Sequence, residues 1–225
     1  DQQRIRQVLE TITSGQMLDL QRFAYASSDS IIPLTREEEL EDYTYRVAGC
    51  VGKFWTHISL SHLFEVDAGT EARLLETGVR FGKGLQLVNI LRDLPADLSI
   101  GRCYIPGTVL AEHNLTPSDL LELETMSQFR PLYDSYLDKA TAHLEAAVDY
   151  ISLLPYRQFR LRTAAMLPVL IGKRTLAMLR SRNVLDAKNR IKISRLQVKQ
   201  LTRQTILAIP SRRRSQRLLE VHHHE

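Results

Sequence analysis

The chain has 225 residues, with 30 Lys or Arg against 26 Asp or Glu for a net charge of +4; 44% of residues are hydrophobic and 25% charged, a balance that excludes a disordered chain and allows one sizeable core. No apolar run reaches the roughly 18 residues of a spanning helix and no charged-then-apolar leader opens the sequence, so a cytoplasmic location is expected. Two cysteines, Cys50 and Cys103, provide neither a disulfide framework nor a metal-ligand set.

Gln2 to Tyr25 reads as a helix, with Ile5, Val8, Leu9, Ile12 and Met17 at three- and four-residue spacing and Asp19 the one acid on its later half. A loop from Ser27 to Leu34 ends at Thr35, which has capping-box spacing to Glu38. The acids from Glu37 to Asp42 favour a helix N-terminus and are expected to face water. A long helix then continues to about Leu63, with Tyr43, Val47, Cys50 and Val51 along one side. Gly49 and Gly52 each cost about 1 kcal/mol against alanine in a helix, so the pair predicts close approach, by a neighbouring helix or by a bulky ligand. Cys50 reads as an apolar filler, and Phe54 and Trp55 as core. His57 and His62 have no metal partners at suggestive spacing.

Glu71 to Arg92 forms the next helix. At 100° per residue, Leu75, Val79, Gly82, Gln86, Asn89, Asp93 and, if the helix runs on, Asp97 share one stripe, while Arg73, Glu76, Arg80 and Lys83 mark a solvent side. Two carboxylates and an amide turned inward are costly unless a cation or donors satisfy them, and hard oxygens of this kind suit Mg²⁺ bridged to phosphate. Arg102 stands where it can hold phosphate oxygens. Pro95 removes a helical hydrogen bond and clashes one turn back, which predicts a kink or an end near Asp93. A proline-opened turn would still return Asp97 to the same cavity.

Leu98 to Ser118 reads as a loop with short turns. Pro131 to Leu153, Tyr156 to Ser181 and Ser194 to Ala208 read as helices, the last broken by Pro210, and no segment keeps the alternation of a strand. The fold class is all-α, as one domain over 1–225. Its basic end, 186–225, carries ten Lys or Arg against three acids. A solvated face ranks first for that segment. Peripheral contact with an anionic membrane ranks second, because Ile206, Leu207, Ile209, Leu218 and Leu219 interleave the charges. A nucleic-acid partner is not expected, since no binding motif accompanies the arginines. His222 to His224, a tag remnant or a native tail, are set aside from the functional reading.

Three stretches carry a resemblance. Gln86-x-x-Asn89-Ile90-Leu91-Arg92-Asp93-x-x-x-Asp97 followed by Gly101-Arg102-x-Tyr104-Ile105-Pro106 resembles the second aspartate-rich motif of the squalene/phytoene synthase family. Tyr43-x-x-x-Val47-Ala48-Gly49-x-Val51-Gly52 is similar to its tyrosine motif. Gly15-Gln16-Met17-Leu18-Asp19-Leu20 is a weaker third match. The resemblance implies an isoprenoid synthase-type helical bundle around a central cavity, and a transferase joining two prenyl diphosphates head to head. Two farnesyl diphosphates would give presqualene diphosphate and then squalene, with NADPH as hydride donor. Two geranylgeranyl diphosphates would give phytoene in the alternative. It further implies Mg²⁺ on Asn89, Asp93 and Asp97, prenyl diphosphate contacts at Gln86, Asn89, Arg92 and Arg102, and Tyr43 in the cavity as proton carrier or cation-steadying ring. The family's first aspartate-rich motif has no counterpart here, so the chain is expected to be a partial domain lacking its N-terminal helices. A noncatalytic homologue acting as an assembly factor is the reading from another class.

Overall fold

A computed structural model describes residues 1–220. Nine α-helices account for most of the described residues: α1 (Gln2–Arg22), α2 (Glu37–Thr44), α3 (Cys50–His62), α4 (Ala68–Ser99), α5 (Gly107–Glu112), α6 (Met126–Leu153), α7 (Phe159–Ser181), α8 (Arg195–Ala208) and α9 (Arg212–Glu220). The expected all-α class holds, and His222 to His224 lie outside the described residues. A five-residue π-helical stretch, Tyr45–Gly49, welds α2 to α3, so the long helix expected to Leu63 is present with its register widened at the tyrosine motif.

Two-residue strands, β1 (Ile32–Pro33) and β2 (Arg102–Cys103), pair in parallel, which period-two alternation is too short to reveal. Gly101 makes this pairing possible: it turns the chain off α4 at φ +80°, and a Cβ there would stand 2.3 Å from the Ser27 carbonyl oxygen.

Of the kink or end expected near Asp93, the end does not occur: helix α4 runs through Pro95 to Ser99. Proline has no N–H to give the Leu91 carbonyl four residues back. Tyr133 of α6 supplies the missing donor, its hydroxyl bonding Leu91 O at 2.9 Å within the core. The stripe therefore keeps its helical phase as far as Asp97.

The core falls into two clusters bridged by α4 and α6. Leu87, Leu91, Leu94 and Leu98 pack with Phe129, Tyr133, Leu137 and Ala140 in one. Leu74, Tyr150 and Ile151 pack with Leu161, Met166, Val169 and Ile209 in the other. At the N-terminus of α2 the helix starts one residue later than the capping box predicts, and Glu39 rather than Glu38 accepts the Thr35 amide, at 2.6 Å.

The acids of α2 do not simply face water. Glu37 accepts the Tyr136 hydroxyl at 2.7 Å and pairs with Lys139, and Glu41 pairs with Lys83. Lys83 and Arg80 are accordingly half-buried rather than on a solvent face, Arg80 donating to Ala142 O at 2.9 Å. In the basic end, Ile209 and Leu219 are core residues, leaving Ile206 and Leu207 exposed.

Candidate active site

The close approach predicted by Gly49 and Gly52 is made by helix on helix. A Cβ on Gly52 would fall 1.9 Å from Gly78 O, and one on Gly82 2.2 Å from Ala48 O, so α4 touches α3 and the π-helical stretch before it backbone to backbone. Beside that contact opens a cleft of about 360 Å³, walled by Val47, Val51, Phe81 and Leu85 and reached from α7 by Ala164 and Ala165. Gly52 and Gly82 also line it, so the glycines serve packing and cleft together. Trp55, expected in the core, is 49% exposed and lines the same cleft, and Phe54 is only half-buried. Gln86 and Asn89 are the amides of its wall.

One turn further along α4 the surface becomes ionic. Arg92 holds Asp93 through two contacts, its Nε donating at 3.0 Å, and Arg190 Nη2 adds a third at 2.8 Å. These guanidiniums hold Asp93 below the usual carboxylate range against the opposing effect of burial. Asp97 differs. Its carboxylate has no hydrogen-bond or ion-pair partner among the described residues, and burial, with Asp93 and Asp19 nearby, pushes its pKa up to about 6.

Beyond Asp97, the parallel pairing of β1 and β2 carries Arg102 and Tyr104 across to α1. Arg102 Nη1 meets Asp19 at 2.8 Å, and the Tyr104 hydroxyl donates to the other Asp19 oxygen at 2.7 Å. Tyr43 stacks on Tyr104 with ring centroids 5.0 Å apart and hydroxyls 3.4 Å apart. Burial and the pair with Asp19 drive the Tyr104 pKa far above normal, and burial raises that of Tyr43. Arg102, expected to hold phosphate, is here neutralised by Asp19, and Arg92 is spent on Asp93.

Of the seven predicted site residues, Gln86 and Asn89 line the apolar cleft, Arg92 and Asp93 pair with each other further along α4, and Tyr43, Asp97 and Arg102 lie around Asp19. Asp19, Tyr104 and Arg190 join them without having been singled out as site residues. The first two stood inside matched stretches, whereas Arg190 carries no local signal and arrives from a segment 97 residues away. Among the described residues no group of three or more His, Cys, Asp or Glu is arranged as a metal site. Asp97, unpaired and half-buried, nonetheless fits a hard cation, while Asp93 would first have to release a guanidinium.

The sequence and the fold agree with known proteins. Residues 1–197 match the family model described as squalene/phytoene synthase. A bifunctional lycopene cyclase/phytoene synthase from Arthroderma gypseum is 32% identical over 151 residues, 67% of this chain and 25% of that protein. The corresponding protein of Colletotrichum graminicola is 33% identical, with the same shares of 67% and 25%. The chain therefore spans about a quarter of these relatives' length. The solved structure of TcSQS with ligand superposes at TM-score 0.76 and 19% identity, covering 97% of this chain and 59% of that one. The squalene synthase HpnC from Alicyclobacillus acidocaldarius gives 0.62 at 22% identity, covering 78% and 59%. With the family model spanning most of its length and the tyrosine and aspartate motifs meeting around Asp19, the chain belongs to the squalene/phytoene synthase family.

Proposed function

We propose that the protein is a transferase condensing two prenyl diphosphates head to head, with ionisation of an allylic diphosphate at Asp93 and Asp97. The observation that carries this reading is a single face of α4 that leads from an apolar cleft to an under-neutralised carboxylate: Val51, Phe81 and Leu85 offer the dry wall that a prenyl chain and a carbocation need, and Asp97 stands about two turns beyond Asn89 on the same helical stripe without a partner. Asn89, Asp93 and Asp97 would hold Mg²⁺, which when bound supplies Lewis-acid neutralisation of the leaving diphosphate. Gln86 lies on the same wall to orient the diphosphate end. Arg92 and Arg102 reach diphosphate oxygens only on leaving Asp93 and Asp19, so substrate binding exchanges one set of ion pairs for another. The stacked Tyr43 and Tyr104 rings present π-faces and protonated hydroxyls, which suits steadying a cation more than accepting a proton.

Two products divide the finer reading. Likeness in the Tyr43 to Phe64 and Leu167 to Leu179 stretches supports squalene from farnesyl diphosphate, with NADPH as the hydride donor. The names of the fungal relatives support phytoene from geranylgeranyl diphosphate, without it. Arg92 would meet a phosphate of that cofactor, as it would a diphosphate, only on leaving Asp93. The exposed Ile206 and Leu207 among arginines support peripheral contact with a membrane.

Product analysis of the full gene product tests this, using each diphosphate with Mg²⁺, with and without NADPH, beside an Asp97→Ala variant. Turnover is expected in the parent and a loss of about 1,000-fold in the variant. Squalene formed only with NADPH selects the first product and phytoene the second. No turnover with either diphosphate sinks the enzyme reading and leaves the assembly factor.

A further inference from the structure

A second cavity, of about 430 Å³, lies where α9 closes on α6 and the start of α7. It shares no lining residue with the cleft between α3 and α4. Arg162, in the first turns of α7, lines it and is 5% exposed. Its guanidinium makes no hydrogen bond or ion pair among the described residues, and its Nη1 is buried without a partner.

Its close neighbour is an aromatic ring. Arg162 lies 5.4 Å from the Tyr156 centroid and Arg212, also lining the cavity, 5.5 Å from the same centroid. Burial and the Arg212 charge press the Arg162 pKa down. Among the described residues no carboxylate of the lining forms an ion pair with either arginine. Glu145 is held by Lys173 at 2.8 Å, Glu220 accepts from Gln216 at 2.8 Å, and Asp149 stays at the exposed rim.

A buried arginine with no counter-charge, beside a second arginine, is an unfavourable arrangement that a bound anion relieves. Guanidinium forks match phosphate oxygens in geometry. We propose that the cavity between α6, α7 and α9 is an anion site for a phosphate group held by Arg162 and Arg212, borne by a soluble phosphate compound or by a phospholipid head group. Arg212 and Gln216 stand beyond residue 197, where the family match ends. A lipid source has local support: Phe159, 5.4 Å from the Tyr156 ring, is exposed, as are Ile206 and Leu207.

Calorimetric titration with inorganic phosphate, at ionic strength held constant with chloride, tests the site. Thermal denaturation and co-sedimentation with vesicles of phosphatidylcholine, alone or mixed with phosphatidylglycerol, identify its source. Phosphate is expected to bind the parent and raise its Tm. Arg212→Gln, on an exposed residue, keeps the fold and weakens phosphate by about tenfold or more, while the neighbouring Arg213→Gln does not. Arg162→Met raises Tm in phosphate-free buffer and abolishes the response. Phosphatidylglycerol-dependent sedimentation that Arg212→Gln removes assigns the lipid source; phosphate binding without it assigns the soluble one. The proposal is overturned if neither phosphate nor phosphatidylglycerol binds, or if the Arg212 and Arg213 variants respond alike.

Discussion

Asp19 accepts from both Arg102 and Tyr104 while only 8% exposed, so its charge is what lets Arg102 stand there without a ligand. Asp19→Asn keeps the shape and one acceptor but leaves Arg102 with a neutral partner. A charged hydrogen bond in such a setting contributes about 1–3 kcal/mol, and chemical denaturation of the variant is expected to show a loss of that size. A loss under 0.5 kcal/mol would mean that water already serves Arg102. His143 offers a test by pH. It packs on Gly84 of α4, its Nδ1 is buried without a partner, and burial together with Lys83, Arg80 and Lys139 depresses its pKa to about 4 against the attraction of Glu41. The unfolded chain takes up a proton near pH 6.5 and the folded one only near 4, so this group's contribution is present above 6.5 and lost as pH falls between those values. Asp97, raised to about 6, acts in the opposite sense over the same range, so the His143 contribution is read as a difference: between pH 6.5 and 4.5 the parent is expected to lose on the order of 1 kcal/mol, after solvent screening, relative to His143→Gln.

At the scale of elements, Pro95 and Tyr133 form a pair that a double-mutant cycle can isolate. Tyr133→Phe leaves Leu91 O buried with no donor and is expected to cost about 1–3 kcal/mol by denaturant unfolding. Adding Pro95→Ala restores a backbone N–H to that carbonyl, so the second change should recover most of the loss, with a coupling energy of about 1 kcal/mol or more. Additive behaviour would show that the tyrosine bond does not support the helix. The α3–α4 contact is less forgiving: Gly52→Ala places a methyl 1.9 Å from a backbone oxygen, and the helices must part. A loss of about 3 kcal/mol or more is expected, with the cleft widened. These two cases mark what the sequence makes legible. The stripe from Gln86 to Asp97 obeys a local period and could be read; so could the glycine pair. The bond that rescues Pro95 joins Leu91 to a residue 42 positions away, and the Asp19 network joins positions 83 and 85 apart, distances at which no periodicity speaks. Trp55 failed for a related reason, since its apolar character suits a cleft wall as well as a core.

For the molecule as a whole, burial is unevenly distributed, and local stability should follow it. Helices α4 and α6 belong to both core clusters, with Leu91, Leu137, Ala140 and Ala147 wholly or almost wholly inaccessible. In α1, by contrast, only Gly15 and Asp19 of 21 residues are buried, and Ile5, Leu9, Met17 and Leu20 turn apolar surface outward. Its amphipathic period was legible in sequence, yet the period does not say whether a partner covers the face. An element that buries so little opens at low free energy, because opening exposes little new apolar surface. Native-state hydrogen exchange should therefore rank the amides near Leu91 and Leu137 slowest, at close to the global unfolding free energy, with those in the first three turns of α1 faster by about 1,000-fold. Asp19 and Gly15, which pin the far end of α1 to Arg102 and against Arg46, should slow its last turns relative to its first. Uniform protection along α1, equal to that of α4, would show that its outward apolar face is covered in solution, and would redirect attention from the helix's own contacts to whatever covers it.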